Sequence, residues 1–115
     1  MFGRLIGKNQ GIRFPIAAAY AHMRAAELMM HEGLRLYEAG ANPGAEANMA
    51  KMLAADASFE AANACVQTYG GFGFAEEYDV ERKFRETRLY RVAPVSNNLV
   101  LAFVGQHVLG MPKSY

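Results

Sequence analysis

Apolar residues recur at helical spacing along the first third of the chain. Between Asn9 and about Glu38 they are separated by three residues, four residues or sums of these, at Ile12, Ile16, Ala19, Tyr20, Met23, Met30, Leu34 and Tyr37. This spacing places them on one face of a long helix. Pro15 has no backbone donor, so it either bends this helix or marks a later start.

The rest of the chain repeats the helical pattern in three shorter stretches. Gly40 followed by Asn42-Pro43 predicts a helix stop and a restart, and a second helix then runs from Pro43 to about Tyr69. Its apolar stripe has a spacing of four residues, and Gly70 and Gly71 predict its end. A charged helix with Asp79 as its cap covers Val80 to about Tyr90, and a last helix covers Leu99 to about Leu109.

Four helices with short connections and no strand predict an all-α fold, an up-and-down four-helix bundle. At 115 residues the chain is expected to form a single domain, residues 1–115. The many apolar side chains on its long faces exceed what four helices can cover, so we expect the bundle to dimerise.

Composition removes several classes of function. Twelve Lys and Arg balance eleven Asp and Glu, so there is no basic excess to favour nucleic acid or a membrane surface. No apolar run approaches the ~20 residues of a membrane span. The single Cys65 excludes an internal disulfide and fits a reducing compartment. His22, His31 and His107 have no partners at ligand spacing, so we expect no metal site.

Polar residues gather near three helix ends: Asn9 and Gln10, then Gln67 beside the glycine cluster, then Ser96, Asn97 and Asn98. Amides, hydroxyls and free backbone N–H groups at helix termini suit a phosphate or the edge of a heterocycle. They equally suit ordinary helix capping, which the residues alone favour. The glycine cluster itself is either a helix stop or a place where a ligand approaches the backbone.

Two segments of this chain resemble the C-terminal helical domain of the acyl-CoA dehydrogenase family. The family pattern Gln-x-x-Gly-Gly-x-Gly-aromatic-x-x-acidic, followed by a basic and an acidic position, is carried by Gln67, Gly70, Gly71, Gly73, Phe74, Glu77, Arg82 and Glu86. Upstream, Phe2-Gly3-Arg4-x-Ile6-x-x-x-Gln10 is similar to a second family segment. The spacing between the segments fits without a gap, so the resemblance covers essentially the whole chain.

The resemblance implies a flavoprotein that uses FAD to desaturate acyl-CoA thioesters between Cα and Cβ. It implies that this chain is the C-terminal part of a longer one, inactive alone, and that the enzyme is a homo-oligomer, either a dimer or a dimer of dimers. It places the protein in the cytoplasm of a bacterium, or in the mitochondrial matrix of a eukaryote. Carried over by position, the FAD contacts are Phe2, Asn9, Gln10, Gln67, Thr68, Tyr69, Gly70, Gly71, Ser96, Asn97 and Asn98.

One position departs from the family. Where the family loop commonly carries the glutamate that removes the α-proton, this chain has Pro94. Proline has no titratable group and cannot act as a general base. No catalytic residue is therefore assigned, and an upstream segment or a catalytic partner subunit is expected to supply the base. An alternative is a non-catalytic helical dimerisation or partner module that keeps the family bundle without activity.

Overall fold

The computed structural model describes residues 3–113, and all regular secondary structure in that range is helical, with no strand. Its four α-helices are α1, Gln10–Glu38; α2, Gly44–Tyr69; α3, Val80–Tyr90; and α4, Asn97–Phe103. Short 3₁₀ turns at Ile6–Lys8, Gly70–Phe74 and Glu76–Tyr78 connect them, and a π-helical turn at Val104–Val108 extends α4. The predicted all-α class with four helices is confirmed.

The first helix follows the predicted span closely. It begins at Gln10, directly after Asn9, and continues without interruption to Glu38. Pro15 lies inside α1, so the interpretation in which it marks the start of the helix is wrong. The carbonyl that loses its partner there belongs to Gly11, which is exposed and can be hydrated by solvent.

The turn between α1 and α2 has the predicted chemistry. Gly40 adopts a left-handed φ of 72°. Its N–H donates to the Tyr37 carbonyl at 3.0 Å, and the N–H of Ala41 donates to the Leu36 carbonyl at 2.9 Å, which together form a Schellman motif. The side chain of Asn42 accepts a hydrogen bond from the Gly44 N–H at 2.9 Å and so caps the first turn of α2.

Helices α1 and α2 form a long antiparallel hairpin. The helices pack closely at the buried Gly33, where an added Cβ would lie 3.5 Å from the Glu46 Cβ. Within the described residues α3 and α4 pack on α2 and make no contact with α1. The buried apolar residues are small: Val100 and the alanines at 19, 26, 50, 55, 57, 62 and 64. The molecule is elongated, at 55 × 30 × 23 Å.

The starts of the two short helices differ in detail from the predictions. Asp79 does precede α3, but its carboxylate accepts a hydrogen bond from Arg82 and makes no capping bond. Helix α4 begins at Asn97, two residues before the predicted Leu99, because the Ser96 hydroxyl accepts the Leu99 N–H at 3.3 Å and caps it. None of the helices in residues 3–113 is both long and apolar enough to cross a membrane.

Candidate functional site

The glycine cluster divides into an open part and a packed part. Gly70 ends α2 with φ 60° and ψ −135°, and its N–H donates to the carbonyls of Val66 and Gln67. An added Cβ at Gly70 or Gly71 would meet nothing within 4 Å. At the buried Gly73 it would lie 2.8 Å from the Val66 carbonyl oxygen. Gly73 therefore allows the turn to pack on α2, whereas Gly70 and Gly71 leave their backbone accessible.

The side chains before this turn differ in whether they already make contacts within the chain. Gln67 is exposed, and Tyr69 is exposed with its ring edge-on to that of Tyr78 at 5.8 Å. The Thr68 hydroxyl donates to the Ala64 carbonyl at 2.7 Å, so it is used within the helix. The end of α2 thus offers one free amide side chain and a phenol next to two open glycines.

Asn9 and Gln10 lie at the same end of the hairpin as the glycine turn. His22 Nδ1 lies 2.7 Å from Glu60 Oε2 across the hairpin, which fixes the register. The helices are antiparallel, so a step of twelve residues towards the start of α1 corresponds to a step of twelve residues towards the end of α2. Gln10 therefore lies level with about residue 72. Asn9 and Gln10 thus lie level with the glycine turn along the hairpin, although in the described chain the turn Gly70–Phe74 makes no close backbone contact with α1.

Basic residues surround the start of α1. Arg4 donates to the Asn9 side-chain oxygen at 3.1 Å, and Arg13 Nε donates to the Gly7 carbonyl at 3.0 Å. The first turn of α1 contains no acidic residue. The positive end of the helix dipole and these arginines give this end of the hairpin a surface that favours an anion.

The third polar segment lies elsewhere. Asn97 donates from its amide nitrogen to Asp56 at 2.9 Å and accepts from Lys51 at 3.2 Å. Asp56 precedes Tyr69 by thirteen residues, which places Ser96, Asn97 and Asn98 about 20 Å along the α2 axis from the glycine turn. The two patches are at different levels of the same helix.

A polar network that was not predicted holds this third segment. Lys51 Nζ also donates to the carbonyl oxygens of Tyr90 and Val95, at 2.6 and 2.5 Å, and Arg91 Nε pairs with Asp56 at 2.8 Å. We call Lys51, Asp56, Arg91 and Asn97 the loop clasp. One signal was present in the sequence: Lys51 is a lone cation within an alanine-rich helix. Its acceptors are backbone carbonyls, which no sequence pattern identifies.

The loop that contains Pro94 carries no carboxylate of its own. Pro94 is exposed, and its neighbours Ala93 and Val95 are also apolar. The Asp56 carboxylate, on α2, forms an ion pair with Arg91 and accepts a hydrogen bond from the Asn97 amide.

Two further predictions from the sequence concern FAD contact by Phe2 and the absence of a metal site. Phe2 lies outside the described residues. Among residues 3–113 no three His, Cys, Asp or Glu side chains are grouped so that they could hold a metal ion. Two of the shifted pKa values belong to exposed carboxylates paired with arginine: a hydrogen bond from Arg35 lowers the pKa of Glu32, and one from Arg82 lowers the pKa of Asp79.

Comparison with known proteins gives a consistent result. The model of the acyl-CoA dehydrogenase C-terminal domain matches residues 1–109. The acyl-CoA dehydrogenase FadE12 of Mycobacterium tuberculosis is 43% identical over 112 residues, which cover 96% of this chain and 29% of the relative. An acyl-CoA dehydrogenase of Bacillus subtilis is 37% identical over 109 residues, covering 95% of this chain and 29% of the relative.

A eukaryotic relative extends the comparison. The mitochondrial short/branched chain specific acyl-CoA dehydrogenase of Rattus norvegicus is 30% identical over 107 residues, which cover 93% of this chain and 25% of the relative. The chain therefore spans between a quarter and a third of the length of these curated relatives.

Proposed function

The chain belongs to the acyl-CoA dehydrogenase family, and we propose that it contacts FAD and joins subunits as the C-terminal domain of a dehydrogenase of acyl-CoA thioesters. The observation that carries the proposal is the end of α2, where Gln67, Gly70 and Gly71 are exposed and an added Cβ at either glycine would meet nothing within 4 Å. The proposed substrate is the acyl-CoA of the longer flavoprotein.

The residues at this end suit the adenine-diphosphate half of FAD. Gly70 and Gly71 allow a planar or phosphate group to approach the backbone, because no side chain covers them. Gln67 offers both a donor and an acceptor to a heterocycle edge. Asn9, Gln10 and the arginines near them complement the negative charge of a diphosphate. When bound, FAD supplies the acceptor for the two electrons removed in the desaturation.

The remaining FAD-contact residues divide into two roles in this proposal. Tyr69 presents its ring at the glycine end, while Ser96 and Asn98 stand at the start of α4 as a second contact patch. Thr68 and Asn97 use their polar atoms within the chain, so we assign them to holding the shape of the two patches. Because the patches lie about 20 Å apart, one subunit can contact two different stretches of flavin, or two different flavins, in a homo-oligomer.

The α-proton is removed by a base outside residues 92–95. Pro94 cannot accept a proton, and Asp56 is held by a cation and an amide. We therefore propose that the base lies in another segment of the longer chain or in a catalytic partner subunit. The cytoplasm of a bacterium is the proposed location, and the mitochondrial relative makes the matrix the corresponding location in a eukaryote.

A second candidate function follows from the same loop. The apolar sequence at Pro94 also suits a non-catalytic partner module that keeps the family helices and joins an active subunit. The two candidates differ in flavin, because only the first requires Gln67 and the open glycines to contact FAD.

The experiment compares two glutamines in the flavoprotein that carries this domain. Gln67→Ala removes the free amide at the glycine end, and Gln106→Ala makes the same change in the π-helical turn after α4. We expect Gln67→Ala to weaken FAD binding about tenfold, the loss of roughly one hydrogen bond, and Gln106→Ala to leave it unchanged. Flavin fluorescence titration measures the affinity.

A second substitution tests the open backbone. Gly71→Leu covers the exposed backbone without a clash in the chain itself, since nothing lies within 4 Å of the new Cβ. We expect flavin content to fall while the helical circular dichroism is retained. Full flavin content in both Gln67→Ala and Gly71→Leu would contradict the proposed contact and favour the partner module.

A further inference from the structure

One lysine of α2 attaches the loop between α3 and α4. Residues 91–96 connect the end of α3 to the start of α4. Lys51 Nζ donates to the carbonyl of Tyr90, just before the loop, at 2.6 Å and to the carbonyl of Val95, near its end, at 2.5 Å. It also donates to Asn97 Oδ1 at 3.2 Å. An ammonium has three donors, so all of them are used, and both ends of the loop are held by one group on α2.

The side chain of Asn97 is held at both of its polar atoms. Lys51 donates to its oxygen, and its nitrogen donates to Asp56 Oδ1 at 2.9 Å. A flipped amide would turn its N–H groups towards the ammonium and its oxygen towards the carboxylate, so the two charges select one orientation. The backbone N–H of Asn97 also donates to the carbonyl of Arg91 at 3.0 Å, which closes the loop across its base. Asn97 is therefore the residue through which the loop clasp fixes the start of α4.

Arg91 attaches the beginning of the loop to the same helix. Its Nε lies 2.8 Å from Asp56 Oδ1, and its guanidinium carbon lies 5.3 Å from the centre of the Phe59 ring. The first contact is an ion pair, and the second has the geometry of a cation–π interaction. Asp56, Phe59 and Lys51 all belong to α2. The loop is therefore attached to one rigid helix at its beginning and at its end.

The two residues beside Asn97 keep polar groups available. Ser96 Oγ accepts the Leu99 N–H at 3.3 Å, and its own O–H has no acceptor within residues 3–113. Asn98 is exposed, and its side chain makes no hydrogen bond in the same range. Because both residues are bonded directly to Asn97, fixing Asn97 fixes where they stand. The segment thus alternates a residue that the fold holds with residues that can still bind a ligand.

We propose that Lys51 is a positioning residue for the flavin: through Asn97 it holds Ser96 and Asn98 in the arrangement in which they contact FAD. This inference rests on the proposed contact of these two residues with FAD and deepens it. The three donors of Lys51 are used within the chain, so the lysine acts through geometry and does not touch the cofactor. A loop that already has its bound conformation loses less conformational freedom on binding, which increases affinity.

The first test removes the ammonium in the flavoprotein that carries this domain. Lys51→Met deletes the three donors and keeps an unbranched side chain that suits a helix. We expect the dissociation constant of FAD to rise about tenfold, because the loop must then be ordered on binding. Flavin fluorescence titration of the apoprotein measures the affinity. Amide hydrogen exchange at residues 91–97 of the apoprotein should become faster in the same variant.

A double-mutant cycle separates positioning from a general structural effect. If Lys51 acts by placing Asn98, removing the Asn98 amide leaves Lys51→Met less to disturb. We expect the combined rise in the FAD dissociation constant for Lys51→Met with Asn98→Ala to be at least ~3-fold smaller than the product of the single effects. Gln67 lies in the other patch, so Lys51→Met with Gln67→Ala should match the product within about 2-fold.

Two control variants account for lost charge and for lost stability. Lys83→Met removes an exposed lysine of α3 that pairs with Glu86 at 3.5 Å, and it should change neither FAD affinity nor exchange at residues 91–97. Ala26→Gly weakens α1 at a buried position, where glycine is a poorer helix former than alanine. Within the described chain α1 makes no contact with α3 or α4. Ala26→Gly should therefore lower stability and leave FAD affinity unchanged.

Three results would overturn the inference: unchanged FAD affinity in Lys51→Met, full additivity of Lys51→Met with Asn98→Ala, or an equal loss of affinity in Ala26→Gly. The first result with faster exchange would show that the lysine orders the loop without serving the flavin. Failure of the proposed function is distinguishable from these outcomes. If Gln67→Ala weakens FAD binding and Lys51→Met does not, only the positioning role fails, whereas insensitivity to both substitutions removes the flavin contact itself.

Discussion

At the scale of single residues, neighbouring glycines of one short turn serve different ends. Gly73 is required by packing, since there is no room for a Cβ beside Val66. Gly71 has open space and does not adopt a left-handed φ. A glycine motif therefore combines a constraint of the fold with a constraint of binding, and substitution can separate the two.

Gly73→Ala should destabilise the fold by about 1–3 kcal/mol, the usual cost of forcing a methyl group into a packed site. Gly71→Ala should be neutral or should stabilise by up to about 1 kcal/mol, because it restricts the unfolded chain without a clash. Urea unfolding followed by circular dichroism measures both. Equal destabilisation by the two substitutions would contradict the division of the turn.

Asp79 offers a test of the surface charges. Its pKa is expected below the ordinary 3.8, chiefly because Arg82 donates a hydrogen bond to the charged carboxylate. Because the folded-state pKa is lowered, this pair contributes stability above the unfolded-state pKa, and the contribution is lost as pH falls through the folded-state value. NMR titration of the side-chain carboxyl carbon gives the pKa.

Arg82→Gln should return the pKa of Asp79 towards its ordinary value. Arg85→Gln is the matched control, because Arg85 pairs with Glu81, at 2.7 Å. A titration of Asp79 that is unaffected by Arg82→Gln would show that the hydrogen bond does not cause the shift.

At the scale of helices, the sequence predicted most boundaries because local chemistry sets them. Gly40, Asn42 and Gly70 act on their own backbone or on residues a few positions away, whereas the Asn9 side chain makes no capping bond to α1 and accepts from Arg4. Contacts across the fold were not predictable in the same way. The position of Asn97 depends on Lys51 and Asp56, more than forty residues earlier.

Contacts across the fold also determine the geometry of the candidate site, and the sequence did not predict them. The family resemblance named the residues of two patches, and helix length alone could not give the distance between them. The distance between the patches depends on where α4 starts, and the loop clasp holds this start opposite the middle of α2. Helix α4 starts at Asn97, earlier than its apolar pattern predicts, because the Ser96 hydroxyl caps it.

The loop clasp should be measurable. Lys51→Met leaves the Tyr90 and Val95 carbonyls and the Asn97 side chain without their donor. We expect a loss of about 1–3 kcal/mol in stability and faster amide hydrogen exchange at residues 91–97. Lys83→Met, which removes one exposed ion pair of α3, should change stability by less than about 0.5 kcal/mol. Unchanged exchange in Lys51→Met would contradict the clasp.

At the scale of the whole molecule, the shape departs from that of an isolated domain. The radius of gyration is 17.5 Å, against about 13 Å for a compact chain of this length. The buried core consists of alanines and one valine, so little apolar surface is removed from water within one chain. If copies of the chain associate as proposed, association supplies part of the stability.

Thermal unfolding should therefore depend on concentration. If folding and association are linked, the unfolding midpoint of the 115-residue chain rises with protein concentration by mass action. Differential scanning calorimetry over a hundredfold range of concentration provides the measurement. A midpoint independent of concentration would contradict an associating fold.

The Schellman turn at Gly40 has a consequence for how the hairpin opens. Residues beside the turn meet across a few intervening positions, whereas Gln10 meets the level of residue 72 only across about sixty. Because the entropy of closing a loop grows with its length, we expect the hairpin to close from Gly40 outward, with its far end forming last and fraying first. The fraying end is the one that holds Asn9, Gln67 and the open glycines. A flavin bound there would stabilise the part of the hairpin that opens most easily.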